Sequence, residues 1–403
     1  MKLAIDGGEK VFRQPAPLPA WPPAYPETAE KLKEIYLSHN WSFYGPREVE
    51  FNRRFAEFTG AKQCVMMANG TVTLEMALQA MGIGPGDEVI VPAMTWIATG
   101  EAVAYRGATP VIVDIEPDTL CLDPEKIEAA VTPRTKAIIP VHLFGSMADM
   151  DRIMPLARKH GLHVVEDSAH AHGGFWDGKH VGTIGDVGSF SFQQSKILAS
   201  GEGGACITNN EILAEALGRL SHIGYQFGAK QGKAAARPPM GEICHNYRIT
   251  DFQAEILLSQ LDHLLEDNRL REKNANYLRT KLEKIPGVRI QAPGRKATLQ
   301  SYYNLAILID HKRLKPGVDL DRVLAALTAE GCPVYKGWGF PMYKQLLWTL
   351  SEDMYRIASN DVAEAIIEKE LMVTVIPTLM MPKSGLDLFV ECFEKVMGEY
   401  YAG

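Results

Sequence analysis

The chain has 403 residues, of which 46% are hydrophobic and 23% are charged. This composition excludes a disordered or collagen-like protein, and the length suits two or three domains. The 42 basic and 49 acidic side chains give a net charge of −7, so no general basic field attracts nucleic acid or anionic lipid. The longest uncharged stretches reach roughly a dozen residues, which is short of the about 20 that a membrane-spanning helix needs.

The first 26 residues are rich in proline and predict an extended arm lying on a surface. From there to about residue 210, short apolar runs alternate with helical patterns. This alternation predicts βαβ units, and therefore an α/β fold with a mainly parallel sheet. The predicted strands are Cys64–Met67, Val89–Val91, Val111–Asp114, Ala137–Val141, Val164–Glu166, Gly188–Phe192 and Ala205–Thr208. The predicted helices are Thr71–Met81, Ile97–Tyr105, Pro124–Val131 and Met150–His160.

The leucine-rich stretch Asp251–Leu282 predicts one long helix with an apolar stripe. Beyond it, a strand-like segment at 302–309, a helix near 320–330 and helices near the end of the chain predict a smaller α+β domain. We therefore expect an extended arm over residues 1–26 and a large α/β domain over 27–255. The long helix and the small C-terminal domain would occupy 256–403.

Six cysteines are scattered along the chain without a C-x-x-C pair. In a chain of this length the pattern predicts buried free thiols in a reducing compartment. The first ten residues include Asp6 and Glu9 and lack the apolar region of a signal peptide. We therefore expect a cytoplasmic protein.

Lys196 lies between a predicted buried strand and the glycine-rich turn Gly201–Gly204. Its neighbours are apolar or small, except for Glu202. A lysine that is desolvated at a strand end can have a lowered pKa and can act as a Schiff-base amine. The simpler alternative is an ordinary surface lysine.

Asp167 follows two valines and Glu166 at the predicted end of another strand, where open α/β sheets bind ligands. A buried carboxylate needs a cationic partner, and a protonated pyridine nitrogen would serve. A helix N-cap is one alternative. The other is a metal site, although adjacent strand residues point to opposite faces. Its ligands would be Glu166, Asp167, His170 and His172.

Two further segments follow predicted strands. Asn69-Gly-Thr71 opens a helix, whose free N–H groups and Thr71 hydroxyl suit a phosphate, although Gly-Thr also begins many helices merely as a cap. Trp96 could stack on a heteroaromatic ring or simply pack in the core. Together the amine, the carboxylate, the phosphate cradle and the aromatic plate match pyridoxal 5′-phosphate, which needs a lysine for its aldehyde and a carboxylate for its ring nitrogen.

Competing motifs do not fit. The sequence contains no G-x-G-x-x-G, G-x-S-x-G or H-E-x-x-H motif, which are typical of dinucleotide binding, serine hydrolysis and zinc proteolysis. The segment Gly173–His180 resembles a P-loop, but it has His180 where a serine or threonine is required.

With these residues in place, the sequence resembles the DegT/DnrJ/StrS sugar aminotransferases, which are fold type I pyridoxal phosphate enzymes. The motifs that carry the resemblance are Asn69–Thr71, Gly84–Val91, Glu166-Asp167 with His170, Gly182–Gly188, Ser189–Phe192, Lys196 and Gly201–Gly204. The resemblance implies that Lys196 binds the cofactor's aldehyde, that Asp167 pairs with its ring nitrogen and that Trp96 stacks on its ring.

The resemblance also implies that His170, where the family often has glutamine, contacts the pyridoxal hydroxyl. Asn246 resembles the family asparagine that reaches the phosphate of the neighbouring subunit, which implies a homodimer with shared active sites. Within one subunit, the implied phosphate ligands are Ser191, Gly70, Thr71 and the amide of Val72.

Lys196 stands where dehydratase relatives have histidine, which implies transamination. An amino group would pass from L-glutamate or L-glutamine to a keto-sugar or keto-cyclitol by a ping-pong mechanism. The segments Gly173–Trp176, Ser191–Lys196 and His222–Tyr225 resemble the scyllo-inosose aminotransferase branch. The alternatives are amination of a nucleotide-linked keto-sugar, dehydration or aromatisation with the same cofactor, and a regulator without turnover.

Overall fold

The computed structural model describes residues 2–229 and 241–402 and is built on an eight-stranded sheet. The strands are β1 (Gln63–Met67), β2 (Glu88–Pro92), β3 (Thr109–Val113), β4 (Thr135–Ile138), β5 (His163–Asp167), β6 (Phe175–Trp176), β7 (Lys179–His180), β8 (Val187–Ser191), β9 (Gly204–Thr208), β10 (Val288–Ile290), β11 (Ala297–Leu299), β12 (Ala306–Ile309), β13 (Val334–Tyr335), β14 (Arg356–Ile357) and β15 (Leu371–Thr374). The helices are α1 (Pro26–Ser38), α2 (Pro46–Thr59), α3 (Gly70–Ala80), α4 (Ala98–Tyr105), α5 (Pro124–Ala130), α6 (Met150–His160), α7 (Glu211–Ser221), α8 (Asp251–Leu261), α9 (Leu264–Leu282), α10 (Leu320–Ala329), α11 (Asp361–Lys369) and α12 (Lys383–Tyr400).

The large sheet has the strand order β1-β9-β8-β5-β4-β2-β3-β14. From β8 to β14 neighbouring strands are parallel, whereas β9 is antiparallel to both of its neighbours. The strands β1, β2, β5 and β8 consequently run in one direction, and their carboxyl ends meet at one edge of the sheet. The prediction of an α/β fold with a mainly parallel sheet is confirmed, and the predicted strands lie within a few residues of the observed ones.

Helices cover both faces of this sheet, which explains why its strands are apolar. Every residue of β2 is buried, and in β3 only Thr109 is partly exposed. Valine and isoleucine dominate both strands, because β-branched side chains pack well on a pleated surface that is buried on both sides.

The prediction of a single helix over Asp251–Leu282 is wrong, because the structure has two helices that are separated at Asp262 and His263. Both of these residues have low helix propensity, and both side chains make contacts elsewhere. Asp262 pairs with Arg54 of α2, and His263 stacks on Tyr25 at a ring distance of 4.5 Å. The break lets α8 pack on α2 while α9 packs on the C-terminal helices.

The C-terminal part forms a second layer around an antiparallel sheet of order β10-β12-β15-β13. The buried Glu330 ties the N-terminal arm to this part. Its carboxylate accepts the backbone N–H groups of Ala4 (2.8 Å) and Val11 (3.0 Å), and it pairs with Lys395 at 2.9 Å. The domain boundary at residue 255 stays a prediction. This residue lies inside α8, and the C-terminal strand β14 completes the large sheet beside β3.

Across residues 2–229 and 241–402, none of the helices combines the length and the apolar character that crossing a bilayer would require.

Candidate active site

A cavity of about 640 Å³ opens at the carboxyl edge of the large sheet. The C-terminal part closes it with Tyr303, Tyr335 and Trp338. Another cavity, of about 720 Å³, lies between the N-terminal arm and α12 and contains none of the predicted site residues. The predicted residues that line the first cavity are Gly70, Thr71, Val72, Trp96, Asp167, His170, Ser191 and Lys196.

Lys196 lies in the turn after β8, with its side chain in the cavity. Its Nζ lies 4.9 Å from the centre of the Tyr303 ring, and the Tyr303 hydroxyl is 2.9 Å from Ser195 Oγ. Burial lowers the pKa of Lys196 to about 8, although the charge of Asp167 opposes this shift. A neutral, nucleophilic amine is therefore accessible near neutral pH, which distinguishes Lys196 from an ordinary surface lysine.

Asp167 ends β5 and is 6% exposed. Its Oδ2 accepts a hydrogen bond from the Thr99 hydroxyl (2.9 Å), and its Oδ1 accepts one from the backbone N–H of Ala169 (3.2 Å). Burial raises the pKa of this carboxyl, and the Thr99 hydrogen bond opposes that shift. No helix begins after Asp167, so the N-cap alternative is wrong.

Glu166 points to the opposite face of β5 and anchors the loop that precedes β8. Its carboxylate accepts the backbone N–H groups of Gly182 (2.8 Å), Ile184 (2.7 Å) and Gly185 (2.7 Å). His142 Nε2 lies 3.0 Å from the same carboxylate. Burial alone would raise the pKa of Glu166, but these hydrogen bonds lower it below its ordinary value.

The four residues of the alternative metal site do not converge. Glu166 is engaged with its loop, while His172 is buried against Phe190 and Phe192 with ring distances of 5.4 and 5.7 Å. Among the described residues, no three histidine, cysteine or acidic side chains are grouped in a way that could hold a metal ion. The geometry therefore separates Asp167 and His170, which face the cavity, from Glu166 and His172, which do not line it.

His170 stacks on Tyr303 with a ring distance of 4.2 Å and an interplanar angle of 19°. Its Nδ1 accepts the backbone N–H of Phe144 (3.3 Å), which assigns the ring proton to Nε2. Burial and the nearby positive charge of Lys196 lower the pKa of His170 well below its ordinary value. A neutral imidazole thus has its Nε2–H free to donate.

The start of α3 approaches β8 closely, and Gly70 makes this approach possible. A Cβ atom at this position would lie 2.5 Å from Ser191 Cβ, so a larger residue would separate the two walls. The Asn69 side chain accepts the backbone N–H groups of Thr71 (3.1 Å) and Val72 (3.0 Å). The phosphate contacts of Gly70, Thr71, Val72 and Ser191 stay predictions.

Trp96 and Asn246 occupy different positions relative to the cavity. Trp96 is 41% exposed and lies 6.3 Å from Trp338 at the cavity wall, so it is not simply a core residue. Asn246 is exposed, does not line this cavity and forms an isolated backbone bridge with His222. The contact of Asn246 with a neighbouring subunit stays a prediction.

The comparisons with known proteins agree with this geometry. Residues 24–382 match the model of the DegT/DnrJ/EryC1/StrS aminotransferase family. The chain belongs to this family. It is 42% identical over 343 residues to the L-glutamine:2-deoxy-scyllo-inosose aminotransferase of Streptomyces kanamyceticus, which covers 83% of this chain and 79% of that protein.

Two solved structures share the fold at 30% sequence identity. One is 3-amino-5-hydroxybenzoic acid synthase, with a TM-score of 0.83 over 96% of this chain and 100% of that chain. The other is an aminotransferase from Psychrobacter cryohalolentis, with a TM-score of 0.85 over 95% of this chain and 99% of that chain. The predictions of the family, of fold type I and of an aminotransferase are confirmed.

Several residues that line this cavity were assigned no role from the sequence, among them Thr99, Tyr303 and Trp338. Thr99 lies in the first turn of α4 and Thr95 lies in the turn before this helix, so no helical periodicity in the sequence links the two hydroxyls. Tyr303 and Trp338 lie more than a hundred residues beyond Lys196, and no local pattern links them to it.

Proposed function

We propose that this family member uses pyridoxal 5′-phosphate to transfer the amino group of L-glutamine to a keto-cyclitol of the scyllo-inosose class by a ping-pong mechanism. The observation that carries the proposal is the arrangement of Lys196 and Asp167 in one cavity, one as an amine with a lowered pKa and the other as a buried carboxylate. The glutamine donor and the keto-cyclitol acceptor are supported by the names of two relatives that are each 42% identical to this chain.

The side chains of the cavity fit this cofactor. When bound, pyridoxal 5′-phosphate supplies an aldehyde and a ring that withdraws electrons. Lys196 would hold the aldehyde carbon, and Asp167 would accept the N–H of the ring nitrogen. The Nε2–H of His170 would donate to the ring hydroxyl, and Trp96 would cover the ring. The phosphate would lie between Ser191 and the start of α3, beside Gly70, the Thr71 hydroxyl and the Val72 amide, which would exchange its Asn69 acceptor for the phosphate.

Lys196 would also move the proton in each half-reaction. Its Nζ would take a proton from the α carbon of the amino donor and would release it within the same cavity, and it would act in the opposite direction when the acceptor ketone is aminated. A pKa of about 8 suits both roles, since the amine and the ammonium are both populated near neutral pH. The Tyr303 ring lies against this amine, with Lys196 Nζ 4.9 Å from the ring centre.

The lining of the cavity favours an uncharged acceptor over a nucleotide-linked keto-sugar. Lys196 is the one lysine or arginine among the described residues that line it. A nucleoside diphosphate carries charges that proteins usually bind through arginine or lysine. A cyclitol instead presents C–H faces to aromatic rings and hydroxyls to polar groups. The aromatic residues of the lining are Trp96, Phe144, Tyr303, Tyr335 and Trp338.

The proposal includes a cytoplasmic homodimer whose active sites are shared. Asn246 is exposed and lies away from its own cavity, which suits a residue that contributes to a second copy. Five of the six cysteines are buried free thiols, which suits a reducing compartment.

The test of this function separates the two half-reactions. Wild-type enzyme is loaded with the cofactor, converted to its amine form with glutamine, desalted, and then mixed with keto-cyclitols or nucleotide-linked keto-sugars. We expect a keto-cyclitol to restore the absorbance of the aldehyde form and to gain nitrogen. Recovery with nucleotide-linked sugars alone would contradict the acceptor class. Loss of water without gain of nitrogen would favour dehydration, and no response to any donor would favour a regulator.

Trp338 provides a second test, because we expect it to contact the acceptor. It lies between two glycines in left-handed conformations, Gly337 and Gly339, and packs against Phe144 at 5.5 Å. Trp338→Ala should raise the KM for the acceptor about tenfold, as expected for one aromatic contact, and should affect the glutamine half-reaction much less. Trp338→Phe should retain most of the affinity. Equal losses in both half-reactions would contradict this assignment.

A further inference from the structure

Two buried threonine hydroxyls lead to the carboxylate of Asp167. Thr95 lies in the turn after β2, and Thr99 lies in the first turn of α4. Their Oγ1 atoms are 2.9 Å apart, and Thr99 Oγ1 is also 2.9 Å from Asp167 Oδ2. Both threonines are almost completely buried and line the same cavity as Asp167.

The hydrogen bonds that link Thr95, Thr99 and Asp167 can run in only one direction. Each hydroxyl has a single proton, and an ionised carboxylate can only accept. Thr99 therefore donates to Asp167, and Thr95 donates to Thr99. The other carboxylate oxygen, Oδ1, accepts the Ala169 N–H. Each oxygen of Asp167 thus has one protein donor and a remaining lone pair for a ligand.

We propose that Thr99, oriented by Thr95, is a positioning residue that keeps the Asp167 carboxylate ionised and aimed at the protonated ring nitrogen of pyridoxal 5′-phosphate. This inference rests on the proposed function. It assigns the segment 95–99 a second role besides presenting Trp96, and it assigns this role to the hydroxyl of Thr99 rather than to its methyl group.

The environment of Asp167 explains why such a donor matters. Burial favours the neutral carboxyl, while Thr99, Ala169, Lys196 and His142 favour the carboxylate. Of these groups, Thr99 and Ala169 donate hydrogen bonds directly to the carboxylate oxygens. A hydrogen bond to a buried charge typically changes an equilibrium by about ten- to a hundredfold.

A purely structural alternative is that Thr99 joins α4 to β5 through its packing and one hydrogen bond. The test therefore compares Thr99→Val, which keeps the shape and removes the hydroxyl, with Thr99→Ser, which keeps the hydroxyl. Ser189→Ala is the matched control, since Ser189 pairs with Asp167 across β5 and β8 and its buried hydroxyl lies 2.7 Å from Thr73 without a hydrogen bond to the Asp167 carboxylate.

Two readouts do not depend on turnover. Titration of cofactor-free protein with pyridoxal 5′-phosphate gives its Kd, and 15N NMR of the ring-labelled cofactor reports whether the ring nitrogen is protonated. We expect Thr99→Val to weaken binding about tenfold or more and to reduce the fraction of ring nitrogen that is protonated at neutral pH, because the proton shifts toward the more basic carboxylate. Thr95→Val should shift both readouts in the same direction by less. Thr99→Ser and Ser189→Ala should resemble the wild type.

Wild-type values for Thr99→Val in both readouts would overturn the inference, and so would equal damage in Thr99→Ser. Circular dichroism of the cofactor-free variants controls for folding. If Thr99→Val does not fold, Thr95→Val is the deciding variant. A wild-type protonation state of the ring nitrogen in Thr95→Val would also contradict the proposed series of hydrogen bonds from Thr95 to Asp167. Wild-type protein that binds no cofactor would instead contradict the proposed function itself.

Discussion

Lys196→Ala should abolish turnover, with the rate of amine formation falling by about 10⁴-fold or more. The variant loses both the covalent attachment of the cofactor and the group that carries the proton, and acid–base catalysis alone typically contributes about 10²–10⁴-fold. Steady-state assays with glutamine and the acceptor would measure the loss. Borohydride reduction of the loaded wild-type enzyme, followed by peptide mapping, should place the label on Lys196.

Lys136 offers a matched control, because it is an exposed lysine on strand β4 of the same sheet. Lys136→Ala should keep wild-type activity. A Lys196→Ala protein that turns over normally, or a borohydride label on another lysine, would contradict both the assigned residue and the proposed chemistry.

Asp167→Asn should reduce turnover by about 10²–10³-fold, which is the usual cost of removing one preorganised electrostatic contact at a reacting group. Asparagine has nearly the same shape, but it has no charge that would keep the ring nitrogen protonated. The rate of the glutamine half-reaction, followed by the absorbance of the bound cofactor, measures the effect. We also expect weaker cofactor binding, because the buried partner of the ring nitrogen is lost.

Asp118→Asn is the control for this substitution. Asp118 is exposed and pairs with Arg289 at 3.0 Å on the surface, where an ion pair contributes little, so its loss should leave the half-reaction unchanged. A near-normal rate in Asp167→Asn would show that the carboxylate does not govern the chemistry.

The sequence predicted the site best where reactive or ligand-binding residues come directly after a buried strand. Asp167, Lys196 and the Gly70 turn all come after buried strands, and parallel strands bring their carboxyl ends together. Their convergence in one cavity could therefore be predicted without coordinates. The break at Asp262 and His263 could not, because the leucine pattern continues across it and contacts with Arg54 and Tyr25 decide it.

The C-terminal contributions were also hidden from the sequence. Strand β14 has two residues and β11 has three, which is too short for an alternating pattern to appear. Tyr303 and Trp338 reach the cavity only because the C-terminal part packs against the edge of the large sheet. Such positions depend on long-range packing, and local propensity carries little information about them.

Glu166 and Asp167 point to opposite faces of β5, so the register of this strand decides whether the proposed cofactor, which is yellow when bound, can be held. A slip of β5 by one residue would turn Glu166 toward the cavity and Asp167, the proposed partner of the cofactor's ring nitrogen, away from it. A protein molecule with that register would lose the hydrogen bonds from Glu166 to the loop before β8, and it would also fail to bind the coloured cofactor. The yellow tint of a purified sample would then report the fraction of molecules whose strands are aligned, and it could be read from a chromatography fraction before any assay is run.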